Sequence, residues 1–76
     1  MENLDTIAAY LEEIIATHAP RTAEAWMHYE QAMRYGDADE SAMFKAIAEE
    51  EESIIKEAIS IKAAMQNRVP NKFYKQ

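Results

Sequence analysis

Residues that interrupt α-helices are confined to three places in this chain. Its single glycine is Gly36, its two prolines are Pro20 and Pro70, and apolar side chains elsewhere recur at steps of three and four residues. A proline disfavours the α conformation of the residue before it, and a glycine readily adopts the left-handed conformation just past a helix end. The sequence therefore predicts an all-α chain of three helices, over residues 4–18, 22–35 and 38–67, with no β-strand.

Local capping signals accompany these predicted boundaries. Thr22 belongs to the residue types that cap helix N-termini, so it is predicted to start the second helix. Asp37, followed three residues later by Glu40, has the spacing of a capping box for the third helix. We expect residues 1–67 to form one helical domain and residues 68–76 to form a basic, aromatic C-terminal tail.

The small size of the chain predicts self-association. A domain of 76 residues buries a small share of its surface, and without cysteine a second subunit is the leading source of additional burial. The third helix is predicted to be about twice as long as each of the others, so part of its apolar stripe would stay uncovered. An antiparallel helical dimer would cover this stripe and place Lys62 and Arg68 opposite the acidic residues 49–52. The predicted interface consists of Phe44, Ile47, Ile54, Ile55, Ala58, Ile61 and Met65.

The charge is unevenly distributed along the chain. Residues 1–57 carry 4 basic and 14 acidic side chains, a net charge of 4 − 14 = −10, whereas residues 58–76 carry 4 basic side chains and no acid. Phosphate is repelled by so acidic a body, so we expect no direct binding of nucleic acid. A partner protein with a basic surface fits better. The alternative interpretations are that the charge only maintains solubility, or that it imitates a nucleic-acid backbone.

Two acidic residues interrupt the predicted apolar faces. Glu30 lies on the second helix and Glu51 on the third. Each either lies at the edge of its face and reaches solvent, or pairs with a neighbour such as Arg34, or contributes with His18 or His28 to a ligand site, because a buried carboxylate needs a partner.

Motifs for catalysis or cofactor binding are missing from the sequence. It contains no cysteine, no glycine-rich phosphate loop and no Glu-x-x-His pair of the kind that binds metal in helical bundles. We therefore expect no enzymatic activity, no cofactor and no metal. The aromatic residues Tyr10, Trp26 and Tyr29 either fill the core or act as binding anchors.

These observations favour a small acidic interaction module, an inhibitor or regulator of the type found in phages and mobile elements, that binds a partner protein. The alternative is a binder of a small ligand or metal that uses the inward carboxylates and aromatics. No apolar run approaches the roughly 18 residues of a membrane span. The N-terminus also lacks the basic start of a secretory signal, so we expect a cytoplasmic protein.

Overall fold

The computed structural model describes residues 4–68, which form a hairpin of two antiparallel helices. Helix α1 spans Leu4–Arg34 and helix α2 spans Ala38–Arg68, each with 31 residues. Between residues 4 and 68, only residues 35–37 lie outside the helices, and this range contains no strand. The all-α prediction is confirmed, whereas the prediction of three helices is wrong. The predicted tail beyond Arg68 lies outside the described residues.

Pro20 accounts for the difference, because it lies inside α1 and does not end it. Proline has no N–H to donate to the carbonyl of Ala16, and its ring crowds the preceding turn. Its side chain is exposed, on the side of α1 opposite α2, where the strained turn can open toward water. Thr22, predicted to cap a second helix, instead donates its hydroxyl to the carbonyl of His18 at 3.0 Å within the continuous helix. Packing of α1 against α2 on both sides of Pro20 therefore outweighs the local preference for a break.

The connection between the helices follows the local sequence signals. Gly36 has a φ of +76°, and its N–H donates to the carbonyl of Met33 at 3.1 Å, while the N–H of Asp37 donates to the carbonyl of Ala32 at 2.9 Å. This pair of bonds is a Schellman motif. Asp37 Oδ1 then accepts the N–H of Glu40 at 3.0 Å and caps α2. The predicted roles of Gly36 and Asp37 are confirmed.

The contact between α1 and α2 is a seam of residues spaced alternately by three and four positions. In α1 the seam comprises Ala8, Leu11, Ile15, His18, Thr22, Ala25, Tyr29 and Ala32; in α2 it comprises Ser41, Phe44, Ala48, Glu51, Ile55, Ala58, Lys62 and Met65. This alternation is the heptad spacing of coiled coils. The buried residues of the described chain all belong to the seam, and they are Leu11, four alanines and Ser41. Small side chains let the two backbones approach closely, but they bury little apolar surface.

The equal lengths of α1 and α2 also correct the packing argument behind the predicted dimer. The sequence suggested that two short helices would leave one end of a long helix uncovered. Instead, α1 matches α2 in length, and contacts at the loop end, between His28 and Phe44, and at the open end, between Glu12 and Lys62, show that they run side by side. The uncovered end of a long helix, on which the predicted dimer depended, is therefore absent from the described residues. Within residues 4–68, neither helix has the length and apolar character needed to cross a membrane.

Candidate interaction faces

The hairpin has two long sides, which the seam separates. The residues that immediately precede seam positions lie on one side of each helix, and those that immediately follow lie on the other. In an antiparallel pair the preceding residues of both helices share one side, and the contacts agree with this. Arg21, His28 and Ile47 all precede seam residues and line one groove, while Trp26 and Glu52 both follow seam residues and are hydrogen bonded to each other.

The side formed by the preceding residues is rich in isoleucine, and we call it the isoleucine side. Its large apolar members are Ile7, Tyr10 and Ile14 of α1 together with Met43, Ile47, Ile54 and Ile61 of α2. Five of these side chains are between 37% and 64% exposed, and the other two, Ile14 and Ile54, are half-buried. Two-stranded coiled coils need only the two seam positions of each heptad, whereas helices that pack in larger bundles carry an additional apolar lane beside them. The isoleucine side is such a lane.

An open groove of about 400 Å³ crosses the isoleucine side near the loop end. It is lined by Arg21, Glu24, Ala25, His28, Phe44, Ile47 and Glu51. The rings of His28 and Phe44 stack at 4.9 Å with an angle of 24° between their planes, and His28 Nε2 is 3.7 Å from a Glu24 carboxylate oxygen. Arg21 is exposed and forms no ion pair within the part of the chain that the structure describes. The groove therefore places one unpaired cation next to apolar side chains.

The middle of the seam contains a pair of ionisable side chains. His18 Nδ1 is hydrogen bonded to Glu51 Oε1, and the two side chains are 20% and 16% exposed. The sequence pattern predicted Glu51 on an apolar face, with His18 as a candidate neighbour in a ligand site. The structure brings these two residues together. Each side chain therefore gives the other one hydrogen-bond partner across the seam, in a half-buried position.

The opposite side of the hairpin, which we call the tryptophan side, combines aromatic and acidic residues. Trp26 Nε1 donates to Glu52 Oε2 at 2.8 Å, and its ring meets Tyr29 edge to face at 5.3 Å. Glu30 follows Trp26 by one helical turn and Glu49 precedes Glu52 by one turn, so both lie beside this pair, and both are exposed. The hydrogen bond fixes the indole, so the side presents an ordered aromatic ring among carboxylates.

The structure divides the predicted interface between the seam and the isoleucine side. The larger group, Phe44, Ile55, Ala58 and Met65, lies in the seam against α1, whereas Ile47, Ile54 and Ile61 lie on the isoleucine side. Lys62, predicted to face the acids of a second copy, pairs with Glu12 of its own chain at 2.7 Å. Since the carboxylate of Glu12 is 61% exposed, this ion pair contributes little to stability.

The candidate ligand site around Glu30 and Glu51 is not assembled as one cluster. Glu30 is exposed on the tryptophan side, Glu51 is paired in the seam, and Tyr10, which is 64% exposed, lies on the isoleucine side. Within residues 4–68 no group of three or more histidine or acidic side chains is placed to hold a metal ion.

Sequence reasoning missed two residues that the structure places at the surface features, Arg21 and Glu52. Arg21 fell in the predicted break between the first two helices, because Pro20 precedes it, whereas it lies inside α1. The sequence around Trp26 gave no signal for Glu52, because the hydrogen bond between Trp26 and Glu52 joins residues that are 26 positions apart. No family model, curated protein or solved structure matches this chain.

Proposed function

We propose that this chain is a protein-interaction module that binds a basic surface of another protein through its tryptophan side and thereby regulates that protein. The observation that carries the proposal is the fixed indole of Trp26, held by Glu52 and flanked by the exposed carboxylates of Glu30 and Glu49. Tryptophan is among the residues that contribute most to protein–protein binding, and such anchors are effective when their conformation is set before binding.

The charge of the chain supports a basic partner. The net charge is −6, and residues 37–57 alone carry 2 basic and 8 acidic side chains, a net charge of 2 − 8 = −6. A field of one sign accelerates encounters with a surface of the opposite sign and discourages like-charged partners. The apolar and aromatic anchor then provides the short-range contact that the charges alone do not provide.

The test is affinity capture from the native host with the tagged chain and two charge variants. Glu30→Lys with Glu49→Lys reverses the two carboxylates beside Trp26, and Asp5→Lys with Glu13→Lys is the matched control on exposed positions of α1. Both variants change the net charge from −6 to −6 + 4 = −2, so the comparison keeps the net charge equal and changes the place where it is altered. We expect the first variant to lose a host protein that wild type and the control retain, and added salt to weaken its capture.

Two outcomes would contradict the proposal. Equal loss with both variants would mean that overall charge, and not the tryptophan side, determines capture. Equal retention with both would mean that the partner binds elsewhere on the hairpin.

A further inference from the structure

No segment of residues 4–68 covers the isoleucine side, and its size matches that of a protein interface. Two helices of 31 residues rise about 1.5 Å per residue, so the side is about 46 Å long. With neighbouring helices about 8–10 Å apart, it is roughly 18 Å wide, and its area is roughly 800 Å². Stable complexes bury about 800 Å² on each partner.

The interior of the hairpin makes a second copy the expected occupant. No large side chain is fully buried in the described chain, and the molecule is only 13 Å thick along its shortest axis. A two-helix layer of this kind needs another layer to form a core, and a second copy is present wherever the chain is made. We propose that two copies join through their isoleucine sides to form a four-helix bundle, with α1 of each copy on α2 of the other.

The charges on the isoleucine side determine which helices face each other. A two-fold axis parallel to the helices places α1 over the partner copy's α2. Such an axis does not change the height of a residue along the helices, so residues at the same height in the two copies face each other. Arg21 shares its groove with Ile47 and Glu51, so Arg21 of one copy lies at the level of Glu50 in the other. Arg21 also lies one turn from Glu24 of its own helix. It therefore stands between the carboxylate of Glu24 in its own copy and that of Glu50 in the other copy.

The apolar residues match in the same arrangement. The Glu12–Lys62 pair places Tyr10 and Ile14 at the level of Ile61, so the open ends of the two copies pack isoleucine and tyrosine against isoleucine. A perpendicular two-fold axis would instead stack α2 on α2 about its midpoint near residue 53. It would place Glu50 opposite Glu57 of the other copy, and like charges in such contacts are destabilising.

Sedimentation equilibrium of the full chain tests whether the dimer exists and which side it uses. Wild type is expected to show twice the chain mass of 8.7 kDa, that is 17.4 kDa, at micromolar concentration. Ile61→Glu and Ile59→Glu form a matched pair, because Ile61 is 44% exposed on the isoleucine side and Ile59 is 51% exposed on the tryptophan side. We expect Ile61→Glu to weaken the dimer by about 100-fold or more, since it buries an unpaired charge, and Ile59→Glu to leave it within about threefold.

A monomeric wild type at about 100 μM, or equal effects of the two variants, would overturn the proposal. The test is also independent of partner capture, because the tryptophan side stays free in the dimer. Loss of capture by the tryptophan-side charge variant with an intact dimer would bear on the proposed function alone.

A charge exchange tests the arrangement without placing a charge among the isoleucines. Arg21→Glu and Glu50→Arg each place like charges in contact, so each is expected to weaken its homodimer about tenfold or more. Mixing the two variant chains restores both opposite-charge contacts, so the heterodimer is expected to form within about threefold of wild-type affinity. A stronger homodimer of Glu50→Arg, or a mixture no tighter than the separate variants, would overturn this arrangement.

Discussion

Replacing Pro20 by alanine should stabilise the protein, and the sign of the effect tests the continuity of α1. Pro20 lies inside the helix with its side chain exposed, so Pro20→Ala removes few contacts. The new N–H can donate to the carbonyl of Ala16, and the clash of the proline ring disappears. Proline in a helix interior costs about 3 kcal/mol relative to alanine. Because α1 already accommodates the ring, we expect a gain of about 1–3 kcal/mol in the free energy of unfolding.

A chain with a helix break at Pro20 would respond in the opposite direction. In such a chain the proline would be compatible with its backbone conformation. Its removal would raise the conformational entropy of the unfolded chain and so lower the free energy of unfolding by about 0.4–1 kcal/mol. Urea denaturation followed by far-ultraviolet circular dichroism, at two protein concentrations tenfold apart, separates the two cases and allows for self-association. Met27→Ala is the control, because Met27 lies two turns after Pro20 on the same outer face and is 51% exposed. It should change stability by less than about 0.5 kcal/mol. A neutral or destabilising Pro20→Ala would refute the continuous helix.

Three further substitutions test the loop, the seam and the tryptophan side by the same denaturation assay. Gly36→Ala should destabilise by about 1–2 kcal/mol, because φ is +76° while an added Cβ meets nothing within 4 Å, so the cost is backbone strain alone; an unchanged midpoint would contradict this. Replacing both His18 and Glu51 by leucine should stabilise by about 1–3 kcal/mol, since a part-buried, hydrogen-bonded polar pair gives way to apolar packing, and a less stable double variant would show that the pair is required. Trp26→Phe keeps the ring packing and removes the 2.8 Å bond to Glu52, so it should cost about 0.5–1.5 kcal/mol, and no cost would mean that the indole is not held by this bond.

The predictions that succeeded depend on signals within a few residues. Gly36 and the Asp37–Glu40 pair act through their own backbone and the next turn, so the sequence was sufficient to place the loop. Pro20 is different, because its local preference competes with contacts that α1 makes along its whole length with α2. The sequence shows the preference but not the strength of that packing.

The division of the apolar residues was also beyond the sequence. Ile54 and Ile55 are adjacent and both fit an apolar stripe, yet Ile55 lies in the seam and Ile54 on the isoleucine side. Apolar periodicity alone could not locate the seam, because polar residues such as His18 and Glu51 occupy several of its positions. Only the structure shows that these two pair across the hairpin.

The composition of the seam explains why both proposed surfaces fit one molecule. Polar residues at seam positions, such as His18 with Glu51, take the place of apolar side chains and add little stability. The buried alanines Ala25, Ala48 and Ala58 bring the helices close and contribute little apolar area. Five isoleucines and Met43 stand on the isoleucine side, so further hydrophobic free energy is gained when that side is covered. A second copy on the isoleucine side would complete the core and leave the tryptophan side, with its fixed indole and carboxylates, on the outside of the assembly for another protein. The dimer would then present two such faces related by two-fold symmetry, and a partner with two basic sites would bind it more tightly than a partner with one.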